Sequence, residues 1–195
     1  MSSRITGLFR IARRPGGRLT RQTRRFRRRE DGATVVEFAI VIFPFLAIMC
    51  AIVEIALVFF AGQVLETATA DSARRIMTGE VQKTGMTKEL FKADVCARLQ
   101  AMFNCADGVH IDVKSYTGFG SASISPPAYD EESQTIDVST FNGFDTGVQG
   151  SIVVVRVAYE WPIFVRDFGF NLSTLPNGKR LLMATAAFRN EPYKN

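Results

Sequence analysis

Apolar residues run almost unbroken from Ala33 to Phe60, and Glu37 and Glu54 are the only charges among them. About 20 apolar residues cross a bilayer, so the pattern predicts a transmembrane helix. A cleaved secretory signal has an apolar run of roughly 7–15 residues followed by a small-residue cleavage site. This run is longer and continues into an amphipathic sequence. A core helix of a soluble protein seldom stays apolar on every face for such a length. Pro44, in mid-run, removes one helix hydrogen bond and predicts a mild bend. Past Phe60 the pattern changes: Ala61, Leu65, Ala68, Ser72 and Ile76 recur at helical spacing. The same helix is therefore expected to continue to about Thr78, with Gly79 as its stop.

Further elements follow from the same reading. Thr87–Phe103 predicts a second helix with Thr87 as N-cap and Leu90, Ala93, Ala97, Leu99 and Met102 as apolar positions. Val109–Tyr116 alternates as a strand does, with Val109, Ile111 and Val113 on one face and His110, Asp112 and Lys114 on a polar one, which makes His110 an exposed residue. Thr135–Phe141 is a shorter strand candidate. Ser151–Pro162 is the strongest, and Arg180–Arg189 is expected to pair with it through the Phe168–Gly178 region. Gly118–Ser133 and Asn142–Gly150 read as Gly-, Ser- and Pro-containing loops. The expected class is α+β: a long N-terminal transmembrane helix extends into a small domain with a second helix and a three- or four-stranded antiparallel sheet packed on the long helix. The boundaries are 1–32, 33–60 and 61–195.

Charge gives the helix a direction. Of the 24 basic residues, 11 are arginines that precede Gly32, opposed there only by Glu30 and Asp31. Residues 33–195 carry 13 basic and 17 acidic residues, a net of −4. The overall charge of +5 therefore describes the leader and not the domain. Excess Lys and Arg mark the cytoplasmic flank of a membrane helix, which predicts a cytoplasmic N-terminus and a domain on the far side, the periplasm in a bacterium. The same topology accounts for the basic leader without nucleic acid as a partner.

Three cysteines are present. Cys50 falls in the apolar run and reads as a buried, unpaired thiol. Cys96 and Cys105 are the candidates for a pair, and an oxidising compartment favours their bond. On one continuous helix they would stand about 13 Å apart, too far to bond. A disulfide thus requires the second helix to end near Phe103 or Asn104 and the chain to fold back, with Asp107-Gly108 as a nearby turn signal.

Two carboxylates break the apolar run. An ionised carboxylate at the centre of a bilayer costs about 2.5–3.5 kcal/mol on insertion scales. Glu37 lies just inside the run, where it either reaches back to water and the arginines or meets a positive partner within the membrane. A 20-residue span counted from Ala33 ends near Ile52, so Glu54 falls at the outer boundary, on a different helix face, in reach of water.

The residues around Gly32 carry a resemblance. Arg27-Arg28-Arg29-Glu30-Asp31-Gly32 followed by Ala33-Thr34-Val35-Val36-Glu37-Phe38 resembles the processing site of type IV prepilins, in which a basic leader ends in Gly and an apolar helix follows with Glu at its fifth residue. The stretch from Gly32 to Glu80 is similar to the TadE/TadG-like family of the tight-adherence pilus, and Ala184–Tyr193 is similar to the way such chains end. The resemblance implies that a prepilin peptidase cuts between Gly32 and Ala33. It implies that Glu37 neutralises the new N-terminal amine of an adjacent subunit, and that the protein is a minor pilin or pseudopilin with a pilin-like domain, in contact with other pilins and pilus assembly proteins. An unprocessed single-span scaffold of the pilus secretion machinery is the alternative.

Other chemistry finds no support in the residues. His110 is the lone histidine, no Cys cluster prepares a zinc site, and no phosphate-binding Gly-Lys-Ser loop occurs. Asp130-Glu131-Glu132 reads as a solvated acidic loop. The expectation is a protein that is not an enzyme, with no cofactor, no metal and no small-molecule substrate. Trp161, Phe164, Phe168 and Phe170 cluster either as domain core or as a subunit contact.

Overall fold

A computed structural model describes residues 30–99, 102–105, 108–165 and 171–193. The Arg-rich leader through Arg29, Asp107, Phe168 and Phe170 lie outside the described residues, as does the side chain of Ala33. By their contacts the residues form two compact units, Met1–Ile48 and Met49–Asn195.

The first unit, where described, is the start of helix α1 (Glu30–Met77), which runs unbroken through Pro44. Nearly every large apolar side chain on this part is exposed, including Val35, Phe38, Ile40, Val41 and Phe43. Apolar residues without protein cover on all sides are what a lipid-facing helix presents.

In the second unit α1 gains a buried stripe. Ala61, Leu65, Ala68, Ser72 and Ile76 are all buried, as the spacing predicts, and the stripe begins earlier, at Ala51, Glu54 and Val58. These steps of three and four keep one helix face against the domain. The helix ends at Met77. Gly79, at φ 76°, then turns the chain in the left-handed region that suits glycine. A one-turn helix α2 (Glu80–Thr84) follows. Helix α3 (Lys88–Arg98) starts at Thr87, whose Oγ1 accepts the Leu90 N–H.

Helix α3 is shorter than expected, and its buried face differs. Phe91, Val95 and Leu99 are buried, four residues apart, whereas Leu90 is 58% exposed and Ala93 and Ala97 are also exposed. The four-residue repeat with the bulkier side chains wins the core. Because α3 stops at Arg98, the chain doubles back early enough for Cys96 and Cys105 to be bonded, with Cα atoms 5.9 Å apart. Cys50 is unpaired but exposed on the helix surface, not buried.

The main sheet has the order β1–β4–β5 and is antiparallel, with β1 at Val109–Tyr116, β4 at Ile152–Pro162 and β5 at Lys179–Arg189. The expected Thr135–Phe141 strand reduces to β3 (Thr135–Ile136), paired only with β2 (Tyr129–Asp130). A single parallel bridge, Val113 to Phe144, lines the free edge of β1. The fold is α+β, as the pattern predicts, with three strands in the sheet.

One face of that sheet packs on α1 and α3: Val109, Ile111 and Val113, then Val153, Val155, Val157, Tyr159 and Trp161 join the α1 stripe in one core. Burying a side chain of this kind contributes roughly 1.5–3 kcal/mol, which makes this layer the main source of stability. The opposite face is not the polar surface that the alternation in β1 suggests. The segment between β1 and β4 folds over it, and Ile136 and Phe141 pack on Ala158 in a second, smaller core. Asp112 is consequently 0% exposed, and His110 is half-buried. Strand β4, buried on both faces along most of its length, shows why its sequence reads as a continuous apolar run and does not alternate.

Candidate functional site

The residues singled out by the sequence occupy α1. Gly32 and Ala33 lie in its first turn, and Glu37 follows about one and a half turns later, with its side chain exposed among exposed Val35, Val36, Phe38 and Ile40. Among the described residues no ion pair or hydrogen bond compensates the Glu37 carboxylate, so on this helix it stands as an acceptor open to a partner. Among the described residues, one helix is long and apolar enough to cross a membrane, Thr34–Met77 of α1.

Glu54 is placed differently from expectation. Instead of reaching water it is 4% exposed, because it falls on the buried stripe between Ala51 and Val58. Its carboxylate accepts the backbone N–H of Phe164 at 2.5 Å and of Val165 at 2.9 Å, just after β4. Two N–H donors to one carboxylate make charge-assisted bonds, about twice as strong as neutral ones. The signal that could have found this role is the register: 51, 54, 58, 61 and 65 form one series, with the carboxylate inside it.

The upper end of α1 is tied to the domain by charges. Arg75 reaches Asp94 of α3 and Glu80 of α2, each at 2.6 Å, and Arg98 reaches Asp94 at 2.5 Å. Burial of Asp94 works against its ionised form, but the hydrogen bond and charge of Arg98 with the charge of Arg75 outweigh it, and the carboxyl sits below its usual range. The C-terminal segment closes the same end. The Glu191 N–H donates to the Met77 carbonyl at 2.9 Å, the Gln149 side-chain amide donates to the Tyr193 carbonyl, and Tyr193 lies against Gly79 with Lys83 over its ring.

Cys96 and Cys105 enclose Phe103, which packs edge-on against Tyr159 and Trp161. Trp161 is therefore core, while Phe164, three residues on, is 76% exposed. Of the aromatic cluster in the sequence, Trp161 takes the core role and Phe164 does not, while Phe168 and Phe170 lie outside the described residues. No three His, Cys, Asp or Glu side chains among the described residues converge as a metal site requires.

The exposed apolar half of α1 with Glu37, and the buried stripe that succeeds it, together form one contiguous stretch of sequence. Residues 32–74 match the family model of TadE-like proteins. This segment is TadE-like. The match opens at Gly32, takes in Glu37 and Glu54, and closes at Arg74, near the end of α1. No curated protein and no solved structure matches the chain. The domain beyond the TadE-like segment thus rests on its own geometry.

Proposed function

We propose that the protein is a minor pilin or pseudopilin of a tight-adherence pilus, held in the bacterial inner membrane by α1 with its N-terminus cytoplasmic and its domain periplasmic. The observation that carries this reading is the TadE-like match beginning at Gly32, the junction where the Arg-rich leader meets the apolar helix. In this reading a prepilin peptidase cuts between Gly32 and Ala33 and leaves an amine at Ala33. The exposed Glu37 carboxylate of one subunit then meets the amine of its neighbour. Both charges are costly in lipid, and their attraction is far stronger at low dielectric than in water. Assembly of helices through the exposed apolar face of α1 brings such pairs together.

The role is structural, without catalysis, and its partners are the membrane, the peptidase, other pilins and pilus assembly proteins. The disulfide fits a periplasmic or surface location, where such bonds persist.

A second reading is an unprocessed membrane scaffold of the pilus machinery, anchored by the same apolar helix with its leader still attached. Intact mass and N-terminal sequencing of the protein from membranes and from sheared surface filaments separate the two. A chain that starts at Ala33 and occurs in filaments supports the pilin. A chain that starts at Met1 and stays in the membrane supports the scaffold and overturns the pilin.

A further inference from the structure

The clamp at Glu54 has a consequence for the loop it holds. Glu54 is buried on a helix whose neighbouring residues Ile52, Val53 and Leu57 are exposed and apolar. The sequence count of a bilayer span places the outer boundary at this turn. Backbone at membrane depth is tolerated only where its polar groups are satisfied by protein. The Phe164 and Val165 N–H groups meet that condition, since both donate to the Glu54 carboxylate. The carboxylate in turn is compensated without solvent. The side chain this arrangement leaves outward is Phe164, 76% exposed, with its backbone held at the turn of α1 where Ile52, Val53 and Leu57 are exposed.

We propose that the turn after β4 is a membrane-docking element: Glu54 holds it against α1, and Phe164 inserts into the headgroup–acyl boundary of the outer leaflet. The occupant of this surface is lipid. An aromatic ring gains by leaving water at that depth, and a second attachment beside α1 restrains the tilt of the domain against the membrane surface. A domain held by one helix alone lacks that constraint.

The proposal rests on α1 spanning a membrane and is independent of pilus assembly. Its test uses the full chain in phosphatidylcholine nanodiscs, with Trp161→Phe as background and Phe164→Trp as reporter. Phosphatidylcholine brominated high on the acyl chains should quench the new indole more than lipid brominated near the chain ends, and aqueous acrylamide should quench it little. In the Glu54→Gln variant, whose amide keeps one acceptor oxygen but loses the charge, lipid quenching at position 164 should fall and acrylamide quenching rise.

A parallel reporter, Phe43→Trp, reads the span itself. If it is quenched by deep bromines while position 164 is open to acrylamide, the docking element is overturned and the span stands. If neither reporter responds to lipid, both are overturned. Protection of position 164 from lipid and acrylamide alike overturns the lipid occupant in favour of a protein neighbour, such as a second copy. Should the Trp161→Phe background fail to fold, the same variants with Trp161 retained are read by difference, since Trp161 is buried and its emission is common to them all.

Discussion

Asp112 and Arg156 face each other across β1 and β4, with Nη2 of Arg156 2.5 Å from Oδ2 of Asp112 and both side chains shut off from solvent. The pair is anchored on both sides. Asp112 also accepts the Gly143 N–H at 2.8 Å, and Arg156 donates to the Ser125 carbonyl at 2.5 Å while its guanidinium lies over the Phe141 ring. Removing Arg156 takes the close partner from buried Asp112 and leaves it only Lys114 at 3.5 Å and the Gly143 N–H, and breaking a buried pair in this way costs about 3–5 kcal/mol. Arg156→Met should therefore lower the urea midpoint of the full chain in detergent sharply. The double variant Asp112→Leu/Arg156→Met should recover only part of the loss, because it orphans the Gly143 N–H and the Ser125 carbonyl. Full recovery would show that these two backbone groups find other partners.

The disulfide gives a second expectation. It closes a short loop, and constraint of the unfolded chain at that length contributes about 2–3 kcal/mol. Cys96→Ser with Cys105→Ser should lose that much stability. The loop also carries Phe103 onto Tyr159 and Trp161, so the emission of Trp161, the one tryptophan of the chain, should shift to the red when the loop is freed. Unchanged emission would mean that Phe103 stays seated without the bond.

How much of this was legible in the sequence depends on what each residue meets. The transmembrane run, the stripe from Ala61 to Ile76 and the stop at Gly79 are local patterns, and a 3.6-residue period with a glycine after it reports them directly. Strand β4 is legible for the same reason. The second core is not: whether Asp112 and His110 face water depends on the segment between β1 and β4 folding over the sheet, a long-range event without a period. Leu90 and Phe91 illustrate a closer contest, in which both are apolar and only tertiary packing selects Phe91. Glu54 was legible in part. Its register places it on the buried face, but its donors come from Phe164 and Val165, more than a hundred residues away.

Acid should destabilise the domain in two stages. Burial lowers the pKa of His110 below its usual 6.5, reinforced by the charge of Lys92. The unfolded chain then takes up the proton first, so stability is full above about pH 6.5 and declines as pH falls from there toward the folded pKa. Asp94 and Glu160 are also held below their usual values, burial opposing in both cases and the arginines near Asp94 and Lys179 beside Glu160 prevailing. Their contribution is present above the ordinary carboxylate range and is lost as pH falls through the depressed folded values. Urea midpoints measured across pH should drop modestly below pH 6.5 and steeply below about pH 4. In His110→Gln the upper step should vanish while the lower one remains.

Glu37 should separate assembly from insertion. The residue is exposed on α1, and no part of the described domain depends on it. Glu37→Gln removes the charge at constant shape and lowers the cost of burial in lipid. The variant should insert as well as the natural chain, resist carbonate extraction and keep the Cys96–Cys105 bond, yet fail to enter surface filaments. Normal incorporation would remove the charge-pairing role.

Gly79 should be the least replaceable residue at the end of α1. Its φ of 76° lies in the left-handed region, where a side chain costs of order 1 kcal/mol or more. Space adds to conformation: a Cβ on Gly79 would overlap the ring of Tyr193. The ring belongs to the final segment, which is fixed by the Glu191 N–H on the Met77 carbonyl and by Gln149. Gly79→Ala must therefore displace Tyr193 from its seat or distort the turn. The cost should exceed the conformational penalty alone, and limited proteolysis should release the last residues of the variant faster than those of the natural chain. Tyr193→Ala on the Gly79→Ala background separates the two contributions. If the overlap matters, the second change costs little once the first is made, because the ring has already been expelled; if Tyr193 adapts in place, the two losses add as independent sites do.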